Sequence, residues 1–308
     1  MKVVITGGAG FIGYHTARLL LAHGHTVVVL DDMSKAPMLD RLRSLGLEPV
    51  RVDVRVLEEL KEAFRGADAV LHLAALINVE ESARVPELYH EVNATGTLNV
   101  LKASVDAGVP KVVYASSAAV YGNPEKLPIS EDHPTNPVSV YGATKLAGEL
   151  YCRAFHEVFG LSVLILRYFN VYGPGQSEEY AGVITRFSER LSRGEPPIIY
   201  GDGNQTRDFV HVRDVAAANE LALEANVKFG VYNIASGREV SILELAELMS
   251  RIAGVNVQPV FAPPRPGDIR RSVADISRAR EELGFEPSVT LEEGLSDLLL
   301  PGEGGSIL

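Results

Sequence analysis

A glycine-rich turn near the amino terminus restricts what this chain can fold into more than any other stretch. Gly7-Gly8-Ala9-Gly10-Phe11-Ile12-Gly13 follows the β-branched run Val3–Thr6 and opens an amphipathic segment, Phe11–His23. It carries Gly-x-Gly-x-x-Gly from Gly8 and Gly-x-x-Gly-x-x-Gly from Gly7. A buried strand entering a helix through so tight a turn needs residues without Cβ early in the turn. It needs another, Gly13, where the helix packs on the strand. The first turn of that helix then aims free N–H groups and a positive dipole end outward, a cradle for phosphate.

The rest of the first 170 residues repeats this strand–helix rhythm. Val3–Thr6, Thr26–Leu30, Pro49–Val52, Ala69–Leu73, Lys111–Ser116 and Ser162–Arg167 are continuous apolar runs, predicted as strands covered on both faces. Phe11–His23, Leu57–Phe64, Glu87–Ala107 and Tyr141–Phe159 have helical periodicity, each followed by a glycine placed to end it: Gly24, Gly66, Gly108 and Gly160. Beyond Asn170, Gly173-Pro174-Gly175 marks a break. Shorter strands (Ile198–Tyr200, Phe209–His211, Val231–Ile234, Val257–Phe261) then mix with helices (Val183–Ser192, Val212–Glu224, Ile242–Ile252). The fold class is α/β, a Rossmann-type doubly wound parallel sheet with a smaller α/β C-terminal substrate domain. Residues 1–170, with 208–235 returning to them, form the expected dinucleotide domain, and 171–207 with 236–308 the second.

Net charge is −11 over 308 residues, with no Lys/Arg cluster, which argues against a nucleic-acid partner. No apolar run reaches the roughly 20 residues that span a bilayer. Cys152 is the single cysteine and reads as core filler, so a reducing, cytoplasmic setting is expected. The eight histidines show no ligand spacing, and no metal is expected. His72 and His211 fall in strands and His23 with His25 in a turn, all read as packed or solvated.

At the end of the second strand lies Asp31, where a carboxylate accepts from the adenosine ribose hydroxyls and repels a 2′-phosphate. NAD rather than NADP is the predicted cofactor. Asp32 can share that role. Asp53-Val54 after the third strand can meet the adenine, or Asp53 can cap a helix. Leu73-Ala74-Ala75 sets small residues beside the cofactor. Tyr141-Gly142-Ala143-Thr144-Lys145 places a phenol and an ammonium on one helix face. A tyrosine titrates near pH 10, and a close cation favours its ionised form, making it a usable base. Ser116-Ser117 ends the fifth strand, where sheet-edge ligands bind.

These motifs together make the chain resemble the extended short-chain dehydrogenase/reductases, and among them the UDP-glucose 4-epimerases. The resemblance continues through Ser116-Ser117-Ala118-Ala119-Val120-Tyr121-Gly122, Arg167-Tyr168-Phe169-Asn170, Arg207-Asp208-Phe209-Val210-His211-Val212 and Arg265-Pro266-Gly267-Asp268. It implies an isomerase in which Tyr141 is the acid/base at the sugar O4, Ser117 its hydroxyl relay, and Lys145 the group on the nicotinamide ribose. It implies Asn93 and Tyr168 near the cofactor. Asn170, Val183, Tyr200, Arg207, Arg265 and Asp268 would hold the nucleotide, with guanidinium groups suited to a diphosphate. A pair of subunits joined through Glu87–Ala107 and Tyr141–Phe159, a homodimer, is likewise implied.

The resemblance also separates chemistries. Related 4,6-dehydratases carry an Asp-Glu pair after the strand-end hydroxyl, and a related decarboxylase a glutamate at the second position. Here both positions are alanine, Ala118-Ala119. Ser272 replaces a bulky residue that restricts relatives to glucose and galactose, so N-acetylhexosamines join the expected substrates. The alternatives are a UDP-glucuronate 4-epimerase, a dehydratase, or a dinucleotide sensor without chemistry. The intact Ser117, Tyr141 and Lys145 argue against the sensor.

Overall fold

The computed structural model describes residues 1–176, 182–264 and 269–300. β1 (Lys2–Thr6), α1 (Phe11–Ala22), β2 (Thr26–Asp31), α2 (Leu39–Ser44), β3 (Val50–Arg51), α3 (Leu57–Ala63) and β4 (Ala69–His72) come first. α4 (Val79–Arg84), α5 (Pro86–Tyr89), a π-helical turn (His90–Thr95), α6 (Gly96–Asp106) and β5 (Lys111–Ser117) follow. A 3-10 turn (Ala118–Val120), α7 (Val140–Phe159) and β6 (Ser162–Tyr168) complete the first half. The second half holds β7 (Asn170–Tyr172), α8 (Val183–Ser192), β8 (Ile198–Tyr200), β9 (Thr206–Arg207), β10 (Phe209–His211), α9 (Val212–Glu224) and β11 (Phe229–Ile234). β12 (Val240–Ser241), α10 (Ile242–Ile252), β13 (Val260–Ala262), α11 (Ser277–Leu283) and α12 (Leu291–Leu299) end it.

The central sheet runs β3-β2-β1-β4-β5-β6-β11, all neighbours parallel. It is buried on both faces, as the unbroken apolar runs require. Val3, Ile5, Leu164 and Leu166 pack against α1 and α9, through Ala17, Leu20, Val215 and Ala218. The alternate residues Val4, Val112, Val163 and Ile165 pack against α3, α6 and α7, through Leu60, Val100, Leu101 and Cys152. The strand order reverses between β1 and β4, and the crevice opens there at the carboxyl ends of the strands.

A second core collects Phe187, Leu191, Ile199, Leu245, Met249 and Leu295 between α8, α10 and α12. Three short strand pairs serve it: β7 with β10, β8 with β13, and β9 with β12. α10 starts at a capping box in which Ser241 and Glu244 satisfy each other's backbone N–H. α9 packs on α1, and β11 joins the sheet beside β6, so the chain returns to its first half after visiting the second.

Two expectations needed correction. The single helix Glu87–Ala107 is α5, a π-helical turn and α6, because the extra residue per turn swings Asn93 inward to bond backbone across the cleft wall. The strand expected at Val257–Phe261 begins only at Val260, since Pro259 has no N–H to give a ladder. The helices α2, α4, α11 and α12 and the short strands β7, β9 and β12 lay outside the sequence prediction. Most of these are short, with little periodicity to read.

Candidate active site

A cleft of about 780 Å³ follows the carboxyl ends of the strands. At its floor is the glycine turn. Gly7 has φ +68°, and a Cβ there would sit 2.6 Å from the Ala74 nitrogen. At Gly13 a Cβ would lie 2.5 Å from the Gly8 Cα, so helix and strand touch backbone to backbone. Gly7, Gly10, Phe11, Ile12 and Gly13 all border the cleft, as do Leu73, Ala74 and Ala75 opposite them.

Asp31, Asp32, Asp53 and Val54 border one end. The buried Asp31 carboxylate ties the turn to the end of β2. Oδ2 accepts from the Ala9 N–H at 3.1 Å and Oδ1 from the Met33 N–H at 3.0 Å. Burial raises its pKa, and those two donors oppose the rise. Asp32 is bonded to Ser34 through N–H and hydroxyl, at 2.9 and 2.7 Å. Asp53 does not cap a helix: α3 starts beyond it, and its carboxylate grips the Arg55 guanidinium at 2.6 Å, which lowers its pKa.

Ser116, Ser117, Tyr141, Lys145 and Tyr168 border the other end. α7 holds Tyr141 and Lys145 one turn apart, its start set by Ser139 accepting from the Gly142 N–H at 3.0 Å. A Cβ on Gly142 would lie 2.6 Å from the Ala119 carbonyl oxygen, so the helix start is pressed onto the turn after Ser117. The Tyr141 phenol is hydrogen-bonded to Ser117. Burial raises its pKa, and the serine partly offsets the rise. Lys145 donates to the Ala115 carbonyl at 2.8 Å, and burial lowers its pKa to about 8, opposed by Glu149. The close lysine expected to ionise the phenol therefore directs its bond to the strand, and the phenol's own partner is Ser117.

Three residues expected at the cofactor direct their polar groups elsewhere. The Ser116 hydroxyl donates to Glu149 at 2.5 Å, and Glu149 forms a buried ion pair with Arg167 at 2.6 Å. The Tyr168 hydroxyl donates to Asn219 on α9, so only the rest of that residue faces the cleft. Asn93 is buried away from the cleft surface. Its amide accepts from the Leu76 N–H at 2.8 Å and donates to the Leu76 carbonyl and Thr144 at 2.9 and 3.0 Å. It locks the loop after β4 onto α7 rather than facing a ligand.

A second cavity of about 260 Å³ adjoins the cleft at Asn170 and is bordered by Val183, Tyr200 and Arg207. Asn170 donates to the Asp208 carbonyl at 2.9 Å. Arg207 is braced by the Thr206 and Ile269 carbonyls at 2.7 and 2.6 Å. Asp208 turns the other way, accepting from Ser236, Gly237 and Ala274, so it is a packed anchor for β10. Ser272 is buried and borders neither cavity. Arg265 and Asp268 lie outside the described residues.

Sequence reasoning missed Arg186, Gln176 and Gln205 in the second cavity and the loop Ser34–Pro37 in the first. The loop directly follows Asp31 and could have been read from that position. Arg186 and Gln205 carry no local pattern. Glu149 follows Lys145 by the same four-residue step that separates Tyr141 from Lys145, a signal that was there to find.

A doubly wound sheet with a glycine turn, an acidic β2 end and a Ser-Tyr-Lys set beside the switch point defines a dinucleotide-dependent enzyme of the short-chain dehydrogenase type. Comparison with known proteins narrows this. The model of the NAD dependent epimerase/dehydratase family matches residues 3–235. A putative UDP-glucose 4-epimerase of Methanocaldococcus jannaschii is 40% identical over 296 residues, 95% of each chain. The crystal structure of a Thermotoga maritima UDP-glucose 4-epimerase with UDP-glucose superposes with TM-score 0.91 at 38% identity, covering 96% of each chain. A dTDP-glucose 4,6-dehydratase of Streptomyces venezuelae, with NAD bound, reaches 0.90 at 34% identity over 97% of this chain and 96% of its own. This protein belongs to the NAD-dependent epimerase/dehydratase family.

Proposed function

We propose that the protein is an NAD-dependent 4-epimerase that interconverts UDP-glucose and UDP-galactose, with UDP-N-acetylhexosamines also within reach. One observation carries the choice within the family. Ser117 and Tyr141 face the cleft, yet the residues after Ser117 are Ala118-Ala119, and no carboxylate borders the second cavity among the described residues. The acidic residues that do border the cleft, Asp31, Asp32 and Asp53, lie at its far end. Eliminating water from C5–C6 needs an acid and a base beside the sugar. Exchange at C4 needs one reversible proton carrier.

The cleft fits the cofactor: backbone comes close enough at Gly7 and Gly13 to exclude a Cβ, and Asp31 stands where ribose hydroxyls would donate. Bound there, NAD supplies reversible oxidation and reduction at the sugar C4. Tyr141 removes the O4 proton and returns it, and Ser117 stabilises the phenolate by donating to it. Lys145, held at about 8, keeps a positive charge near that phenolate at neutral pH and is placed for the ribose hydroxyls. Because the keto sugar must present its other face before it is reduced, the anchoring falls on the diphosphate. Arg207, braced by two carbonyls, suits that task.

The test is to mix the protein with UDP-galactose, without added cofactor, and follow UDP-glucose. Product identifies the reaction and a retained cofactor. A 4-keto-6-deoxy product would place the protein with the dehydratases. Conversion of UDP-glucuronate alone would reassign the sugar.

We read residues 1–170 with 208–235 as the NAD-binding domain and 171–207 with 236–308 as the nucleotide-sugar domain. The return of α9 and β11 to the first sheet supports the division. We also infer a cytoplasmic homodimer. On α7, Leu150 and Val158 are 62% and 71% exposed, an apolar face suited to a second copy. Sedimentation as a monomer at micromolar concentration would remove the dimer. Among the described residues, no helix is long and apolar enough to cross a membrane.

A further inference from the structure

α1 ends at the edge of the sheet opposite the active site, in the turn His23-Gly24-His25. With 12 residues in α1, that turn lies about 18 Å along the helix from the glycine turn. The turn is rigid. Gly24 is left-handed at φ +81°, and His25 N–H closes back on the Leu20 carbonyl at 2.9 Å. Both histidines face the last turn of α9, where Glu220 and Glu224 are one helical turn apart.

His25 is the base of this cluster, its side chain 8% exposed. Its Nε2 lies 3.5 Å from an oxygen of Glu220 and 3.5 Å from an oxygen of Glu224. Both distances exceed a good N–H···O hydrogen bond, about 2.9–3.0 Å. They match the edge of a tetrahedron, about 3.4 Å, formed when ligand atoms stand about 2.0–2.1 Å from a central zinc ion. The three ligand atoms fall within 4.8 Å of one another, and two carboxylates so close repel unless a cation lies between them. Nδ1 of His25 is buried with no hydrogen-bond partner, so the ring's contacts to polar groups all pass through Nε2. His23 Nδ1 contacts Glu220 at 2.7 Å and braces that carboxylate from outside, as second partners of metal ligands do.

We propose that His25, Glu220 and Glu224 bind one divalent transition-metal ion of the zinc class, with water completing the coordination. Imidazole nitrogen beside carboxylate oxygen selects such ions over magnesium and calcium. The ion acts as a staple, joining the α1–β2 turn to α9 and thereby the first half of the chain to the segment that returns from the second. At this distance from the cleft it takes no part in the sugar chemistry. No local spacing marks this cluster in the sequence, because His23 and Glu220 are 197 positions apart.

The test uses full-length, tag-free protein stripped with a chelator and titrated with zinc chloride, with magnesium chloride as control. One zinc per chain is expected, with a thermal midpoint raised by roughly 2–4 °C, and no response to magnesium. Cobalt(II) should give the visible absorption of a tetrahedral site. Glu224→Gln, at a side chain 55% exposed, should fold, keep its UDP-galactose turnover, and lose at least tenfold in zinc affinity. His25→Gln should abolish binding. Should His25→Gln fail to fold, Glu224→Gln decides. Absence of stoichiometric zinc on the wild type, or equal zinc binding by Glu224→Gln, overturns the proposal.

Discussion

At the glycine turn the surface offered to a ligand is main chain, while around Arg207 and Tyr200 it is side chain. The first end is made by seven consecutive residues, four of them glycines whose lack of Cβ brings backbone within van der Waals contact, as at Gly13 against Gly8. The second is assembled from Asn170, Val183, Tyr200 and Arg207, carried on β7, α8, β8 and β9. Backbone surfaces tolerate no added atom and recognise a phosphate chain common to many enzymes. Side-chain surfaces can be exchanged singly. This is how an epimerase and a dehydratase can share a fold with TM-scores of 0.91 and 0.90 to this chain.

Four measurements would break or sharpen that contrast. The largest effect belongs between the two ends: Tyr141→Phe should lower epimerase turnover by roughly 10² or more while bound NAD, read by absorbance after denaturation, is retained. Loss of cofactor as well would show that the phenol serves both ends. Next, Arg207→Ala removes a charge-assisted grip and should raise KM for UDP-galactose by roughly 10- to 100-fold with a smaller effect on kcat. An unchanged KM would take the diphosphate away from Arg207.

Gly7→Ala should weaken NAD retention by about 5- to 30-fold. A left-handed residue with a Cβ costs about 1–2 kcal/mol, and the added atom meets the Ala74 nitrogen at 2.6 Å. Retention equal to the wild type would mean the turn can yield, and the contrast with the side-chain end would fail.

The smallest effect is on stability against pH. His15, His72 and His211 are buried, with pKa lowered to about 4, 3 and 3. The unfolded chain, near the ordinary 6.5, binds protons that these folded sites refuse. Stability is therefore complete above about pH 6.5 and declines as pH falls toward 4, by up to about 1.4 kcal/mol per histidine per pH unit. Thermal midpoints across that range check it. His15 and His211 lie beside the second half and His72 under the cleft, so replacing each with glutamine tells which region gives way first.

Much of the first half was legible in the residues. The strand runs and the glycines after the helices reflect local steric and burial rules, and Gly160 does close α7 at φ +69°. Tyr141 and Lys145 were legible because one helix turn joins them. That Asn93 braces the loop after β4 was not legible, because only the π-helical turn decides its direction. Ser116 borders the cleft as read, but its bond to Glu149 was not legible because the two are 33 positions apart. Arg186 and Gln205 could not be found, since nothing local marks a side chain that reaches a cavity only after two cores have packed.

By itself the amino-acid sequence determined the doubly wound sheet, the phosphate cradle and the phenol–ammonium pair. Each depends on steric limits and periodicities spanning a few residues. The tertiary structure alone decided that Lys145 bonds strand β5, that Asn93 braces a loop, and that two carboxylates of α9 meet His25. Those outcomes depend on which distant groups are desolvated together, and chain order carries no direct record of that.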